Sequence, residues 1–556
     1  MTIEQWQRPA GMLGNGKRLR VGPGAIGEEE YTCPAFSAAK VRPDVRPQHW
    51  PSMRKPQLED FTLGPVNAAL DRIEFNGVAI ELALGGLLRT RPPLHPGLQA
   101  FARHAVRMYL RAAADSDGQD EDAVPHYWVV QETDDEAERS LELYAWGRRY
   151  QSPSGRTRRH RFLRFSVHEE RERDPAQVAI AAYAAAFGSA ASWPQPWSVP
   201  FQLRGATVVE RVVVEEVNLA DGCLRVLFDG TLAEAAAAYV RSGKPQVEQL
   251  AAGGRARPGS SCTGCKQLTV CTELPRTPGL LGVPAPRAPR RKVSISDLRY
   301  YRACPAQAHL RSLNLPKTYE YGPAAELGQA VHAWLERLHR RGNGAAPPPC
   351  MADDMPDGEA AWSVGRWTVS GDLARIGVTM LRHHVEHCPF TAPDGITKVE
   401  VEPTRAFHDT SAQSIVIAKP DLLYLDEGSW VWRELKTTQS TYVQRGDPLE
   451  VYPQLALAAV LLHHGGLGGD PAGSRVELEV LRPSGPEITV IDPAESVAKA
   501  RDVLHALAQP WREDEQFQAR PSRECQRCPV SRWCPSRELP EAMADAAPDD
   551  KGGTSV

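Results

Sequence analysis

Residues 419–436 read Lys419-Pro420-Asp421-Leu422-Leu423-Tyr424-Leu425-Asp426-Glu427-Gly428-Ser429-Trp430-Val431-Trp432-Arg433-Glu434-Leu435-Lys436. Two apolar, aromatic-rich runs flank a short acidic turn that contains glycine, the pattern of an antiparallel hairpin. With Glu427-Gly428 as the loop, Asp426 pairs with Ser429, and the same register sets Asp421 opposite Glu434. Directly opposed side chains lie about 5 Å apart on one face of a sheet. Lys436 shares the face of Glu434, because side chains alternate along a strand. Two carboxylates so close repel each other unless a cation joins them, and a hard divalent ion suits their oxygens. A loop one residue longer or shorter would undo the register.

Outward from the hairpin, the order of elements predicts an α/β core. Upstream, Leu327, Val331, Trp334, Leu335 and Leu338 recur at helical spacing within about Pro323–Arg341. Gly328 and His332 share a face of that helix, where a glycine permits close backbone approach and the imidazole could join the same metal. A helical histidine standing alone is more often structural. The stretch from Lys398 to Lys436 alternates like strands. A further helix starts at Pro453 and runs to Leu462, with Gln454 in its first turn, positioned to orient a water or a phosphate.

Eight of the eleven cysteines fall into two matching sets: Cys33, Cys262, Cys265, Cys271 and Cys304, Cys525, Cys528, Cys534. Each set opens with a lone Cys-Pro and closes with C-x2-C-x5-C after a similar span. We read this as an internal duplication. Three close thiolates plus one distant one suit an iron–sulfur cluster or zinc, and the three-plus-one spacing leans toward the cluster. The expected domains are 1–276, a Pro/Arg-rich linker at 277–292, a second domain at 293–537, and a disordered tail at 538–556.

The chain has 556 residues, room for several domains, with 65 basic and 69 acidic side chains. That balance says nothing of a nucleic-acid partner, which needs local clusters. Arg158, Arg159, Arg161 and Arg164 form one such run and are expected as DNA contacts. The polar N-terminus lacks a signal peptide's apolar core, and no apolar run is long enough for a membrane span. A cytoplasmic protein without a membrane partner is expected. No Walker A motif or dinucleotide fingerprint is present, so any helicase would be a separate partner.

In their order, Cys304-Pro305, Gly328…His332, Pro420-Asp421, Glu434-Leu435-Lys436-Thr437, Gln454 and Cys525/Cys528/Cys534 resemble the RecB-like and AddB-like iron–sulfur nucleases of the PD-(D/E)XK superfamily, including CRISPR-associated members. The resemblance covers about Val293–Pro535. It implies a tandem pair of restriction-endonuclease-like domains, each a mixed central sheet flanked by helices, with the first copy degenerate. It also implies that His332, Asp421, Glu434 and the Leu435 carbonyl hold Mg2+ or Mn2+, that Lys436 activates the attacking water, and that Gln454 assists. The implied cofactors are this metal and a 4Fe-4S cluster on Cys304, Cys525, Cys528 and Cys534. Cys33, Cys262, Cys265 and Cys271 would hold a second cluster or zinc. The implied activity is cleavage of DNA, at single strands or ends, in repair, recombination or defence against foreign DNA. The family often has Tyr four residues after the Gln; this chain has Ala458, so either Tyr452 substitutes as the DNA contact or that contact is lost. The alternative is a non-catalytic iron–sulfur subunit that binds nucleic acid or acts as a scaffold.

The first half keeps the cysteines but not the acids. Gly77 and Glu81 repeat the Gly328…His332 spacing, Leu141–Arg149 and Arg158–Phe165 are the expected strand pair, and Gln177 begins an Ala-rich helix. Arginines stand where carboxylates and lysine should be, which would suit phosphate holding or a purely structural role.

Overall fold

The computed structural model describes residues 6–27, 32–49, 52–116, 120–134, 139–165, 172–205, 208–318, 322–357, 360–440 and 446–537. The tail expected at 538–556 lies outside the described residues. The chain forms two compact units: Met1–Leu274 with Ala303–Thr318 and Glu515–Glu538, and Pro275–Arg302 with Tyr319–Asp514.

In the first unit, helix α1 (Pro34–Lys40) follows Cys33. One five-stranded sheet runs β5-β4-β3-β2-β1, where β1 is Asp122–Ala123, β2 Arg148–Gln151, β3 Thr157–Arg164, β4 Arg211–Asn218 and β5 Leu224–Thr231. Strand β3 pairs antiparallel with β2 and parallel with β4. Helix α2 (Pro175–Phe187) lies between β3 and β4 in the chain; Asp174 caps it and Pro175 fits its first turn. The predicted strand Leu141–Arg149 is in fact two: Arg139–Tyr144 belongs to a second five-stranded sheet, and only the part from Arg148 pairs with β3. Gly147, at φ 157°, marks the break between them.

Helix α3 (Pro305–Ser312) and the Cys525–Cys534 segment were expected in the second domain, yet they group with the first unit. Their apolar residues explain this. Leu310, Leu313, Val530 and Trp533 are buried in one core with Leu98, Phe101 and Ala105 of the helix Pro96–Ala114. The Trp533 ring meets Phe101 edge-on at 5.1 Å.

The second unit repeats the first sheet's plan. Helix α4 (Pro323–His339) and helix α5 (Gly371–Val385) precede a sheet of order β6-β7-β8-β9-β10. Its strands are Ile396–Val401, Leu422–Asp426, Ser429–Thr437, Arg475–Arg482 and Gly485–Ile491. Strand β8 is antiparallel to β7 and parallel to β9, with helix α6 (Pro453–His463) between β8 and β9 in the chain. The predicted α4 stripe of Leu327, Val331, Trp334, Leu335 and Leu338 is buried against Leu422, Tyr424, Val431 and Leu435 of the sheet.

Residues 277–292, expected as a linker, are packed. Leu280 and Leu281 are buried, and the Gly279 and Leu281 N–H groups donate to the Asp409 carboxylate at 2.9 and 2.8 Å. Arg291–Ser294 pairs parallel with Ser414–Ala418. The Pro/Gly/Arg composition suggested a free segment, but its apolar pair Leu280-Leu281 finds a core.

Candidate active site

The β7–β8 hairpin closes as its sequence predicts. Asp426 pairs with Ser429, and Leu422 with Arg433. Glu427 and Gly428 both have positive φ (49° and 82°), the two-residue turn whose twist matches the strands. The ladder ends at Leu422, so Asp421 stands one residue beyond it, in register with Glu434. The Asp421 Oδ2 accepts from the Leu435 N–H at 2.6 Å.

Four predicted residues converge here. His332 Nδ1 lies 3.5 Å from Asp421 Oδ1. Lys436 Nζ lies 3.0 Å from Glu434 Oε2 and 3.6 Å from Asp421 Oδ2, and donates to the Leu435 carbonyl at 3.0 Å. The other Glu434 oxygen accepts from Trp432 Nε1 at 3.0 Å. A Cβ on Gly328 would come within 2.8 Å of Thr437 Oγ1, so the glycine permits the close approach of α4 to the end of β8.

The electrostatics separate the acids. Burial opposes ionisation of Asp421, but Lys436, His332 and the Leu435 N–H outweigh it and hold the carboxyl well below the usual range. Burial pushes Glu434 up; the attraction of Lys436, opposed by repulsion from Asp421, does not cancel it. Burial would discharge Lys436, yet Glu434 and Asp421 raise its pKa above the usual lysine value, so it stays charged. Tyr452 is near enough to contribute in the same direction.

One acid went unpredicted. Glu402 joins His332 and Asp421 in a trio whose ligand atoms lie within 4.8 Å of one another; Glu434 is not part of that trio. Glu402 follows β6, at φ 51°, and its N–H donates to the Asp421 carbonyl at 3.2 Å. Burial, then Asp421, raises its pKa. The available signal was an acid closing the strand next to the hairpin. Gln454 opens α6 as expected, and its Oε1 is buried without a hydrogen-bond partner among the described residues.

The cysteine quartets share a geometry. Cys33, Cys262, Cys265 and Cys271 line one cavity; Cys304, Cys525, Cys528 and Cys534 line another. The Arg257 N–H donates to Cys33 Sγ at 3.2 Å, and the Arg520 N–H to Cys304 Sγ at 3.4 Å. Likewise the Gly259 N–H reaches Cys262 Sγ and the Ser522 N–H reaches Cys525 Sγ, each at 3.4 Å.

The arginine run of β3 does not face solvent. Arg158, Arg159 and Arg161 are 2–3% exposed. Arg159 and Arg161 pair with Glu215 of β4, and Arg158 donates to the Ala185 and Gly188 carbonyls. Arg164 pairs with Glu216 at 3.2 Å. Of these side chains, expected as DNA contacts, Arg159, Arg161 and Arg164 pair with acids of the neighbouring strand and Arg158 with backbone carbonyls. Gly77 and Glu81 do not share a helix either: Gly77 lies beyond the helix Gly64–Glu74, and Glu81 is in the next one, Ile80–Gly85.

Residues 292–535 match the PD-(D/E)XK nuclease superfamily. That stretch is a PD-(D/E)XK nuclease superfamily domain. It contains the β7–β8 hairpin, α4 and α6. Among solved structures, the crystal structure of SSO0001 matches at 14% identity, covering 45% of this chain and 88% of that one, with a TM-score of 0.21. No curated protein gives a significant match. No described helix is long and apolar enough to cross a membrane.

Proposed function

We propose that the PD-(D/E)XK domain is a divalent-metal-dependent DNA nuclease that hydrolyses phosphodiester bonds. The observation that carries this reading is the meeting of Asp421, Glu434, His332 and Lys436 beside the Leu435 carbonyl at one end of a buried hairpin. The donors fit Mg2+ or Mn2+: carboxylate and carbonyl oxygens with one imidazole, with His332 and Asp421 partly open to solvent and Glu434 buried. His332, Asp421, Glu434 and the Leu435 carbonyl would hold the ion, and Glu402 offers a further oxygen. Such an ion supplies stabilisation of charge on a phosphate undergoing attack.

Lys436 stays cationic between Glu434 and Asp421, where it orients the attacking water and faces the phosphate. Gln454 has an amide oxygen without a hydrogen-bond partner among the described residues and can hold a water in place. Tyr452 is the DNA contact beside Lys436. The substrate we assign is single-stranded DNA or DNA ends, in repair, recombination or defence, with a helicase supplied by another chain. The Cys304 quartet holds a 4Fe-4S cluster, and the Cys33 quartet a second cluster or zinc; backbone N–H groups aimed at the sulfurs support thiolate in both. The first half is a non-catalytic structural partner, because Arg159, Arg161 and Arg164 of its central strand are held in ion pairs with Glu215 and Glu216.

The test is incubation of anaerobically purified full chain with end-labelled single-stranded and duplex DNA, in Mg2+ or Mn2+ against EDTA. Metal-dependent products support the nuclease, and their ladder separates end from internal cutting. Cluster-loaded, folded protein that cuts neither substrate in either metal overturns it in favour of the scaffold reading.

A further inference from the structure

Two cysteines outside the duplicated quartets, Cys350 and Cys388, meet two histidines in the interior of the second unit. His339 is the last residue of α4, and Cys350 lies in the segment that follows it. His384 is in the last turn of α5, and Cys388 comes four residues later. One ligand atom from each lies within 4.8 Å of all the others. The four residues are 7%, 2%, 1% and 4% exposed in the order His339, Cys350, His384, Cys388.

The spacing of the ligand atoms suits a single four-coordinate ion. The two Nε2 atoms are 3.2 Å apart. Two nitrogens each about 2.0–2.1 Å from a tetrahedral zinc would be separated by about 3.3–3.4 Å. His384 is oriented from behind: its Nδ1 meets Glu479 Oε1 at 2.7 Å, and Arg433 Nε donates to the other Glu479 oxygen at 3.0 Å. A carboxylate on Nδ1 fixes that nitrogen as the N–H and aims the Nε2 lone pair at the centre, the arrangement found behind metal-bound histidines. The Cys350 N–H points at Cys388 Sγ at 3.4 Å. Leu338, Leu381 and Phe390 pack in the same core, and on the other side His339 and His384 line the cavity that also reaches His332, Glu402 and Asp421.

We propose that His339, Cys350, His384 and Cys388 bind one structural zinc ion. Two thiolates and two imidazoles select zinc over the hard ions suited to Asp421 and Glu434, and four protein ligands fill a tetrahedral zinc's coordination, leaving no position for chemistry. The ion ties the end of α4, the irregular chain at Cys350 and the end of α5 into one centre. Binding releases the two thiol protons. In the sequence, His384-x3-Cys388 was the local signal; His339 and Cys350 are too widely spaced to have been joined to it by inspection.

The test uses the full chain, dialysed against EDTA to strip the open hydrolytic site. Zinc content is measured for wild type and for Cys350→Ser/Cys388→Ser, and the zinc K-edge X-ray absorption of wild type is recorded. The expected results are one zinc per chain lost in the double variant, and imidazole outer-shell scattering with sulfur ligation in wild type. A wild type without zinc, or with zinc bound only by sulfur, overturns the proposal. So does a Cys350–Cys388 disulfide in the unreduced peptide map. If the double variant does not fold, the wild-type absorption decides. None of these readouts depends on DNA cleavage.

Discussion

The two sheets of this chain follow one plan and differ in what the central hairpin carries. In both, a short strand, an antiparallel partner, a crossover helix with Gln after a leading Pro, and a parallel strand follow in the same order. In both, an arginine of the central strand pairs with a glutamate directly opposite on the parallel strand: Arg161 with Glu215, and Arg433 with Glu477. Matching those pairs sets Phe162 at the position of Glu434 and Arg164 at that of Lys436. Extending each hairpin register by one residue sets Gly147 where Asp421 stands. The helix glutamines differ in the same sense: Gln177 is bonded to Ile26 and Arg173, whereas the Gln454 oxygen has no partner among the described residues. What the two halves share is the cysteine frame and the buried Arg–Glu pair. The acids and the lysine stand only at the second hairpin, together with the glutamine oxygen that has no partner among the described residues.

The largest expected effect probes the shared frame. Glu215→Gln leaves Arg161 and Arg159 short of a buried acid, a loss of about 3–5 kcal/mol. Glu477→Gln should cost less, because Arg433 keeps Glu479 at 2.8 Å. Hydrogen exchange across 157–164 and 431–437 measures both, and equal losses would break the comparison. Next, Asp421→Asn should lower the cleavage rate about 100- to 1000-fold without changing the melting temperature. Glu402→Gln is expected to weaken Mn2+ affinity about 10- to 100-fold, read by titration, and an unchanged affinity would return Glu402 to a structural role.

The smallest effect lies on β3. His160 is fully buried, and desolvation holds its pKa well below the ordinary 6.5, with Arg149 and Arg173 adding to the shift. Its folded form is neutral, while the unfolded chain takes up a proton below about pH 6.5. Stability of the first unit should therefore fall as the pH drops below that value, by at most about 1.4 kcal/mol per pH unit from this group. His160→Leu should flatten that dependence in urea unfolding between neutral and mildly acidic pH.

Much of the second half was legible because it is local. The Glu427-Gly428 turn fixes the register, and the register brings Asp421 beside Glu434 and Lys436. The helix of Gly328 and His332 was readable from its apolar stripe. What was missed depends on tertiary context. Glu402 reaches the site through an adjacent strand, and His339, Cys350 and His384 meet only when two helices pack. The arginines of β3 looked like a basic patch because sequence alone does not reveal Glu215 and Glu216 on the next strand. Leu310 and Trp533 carry the second quartet into the first unit's core, a grouping that no spacing encodes.

The central claim is that only the second hairpin retains the cutting chemistry. Cleavage of end-labelled single-stranded DNA in Mg2+ by wild type, Lys436→Ala and Arg164→Ala tests it most directly. The account predicts that Lys436→Ala abolishes cutting while Arg164→Ala, at the matching position of the first hairpin, cuts like wild type. Full activity in Lys436→Ala, or loss of cutting in Arg164→Ala with its fold intact, would contradict it.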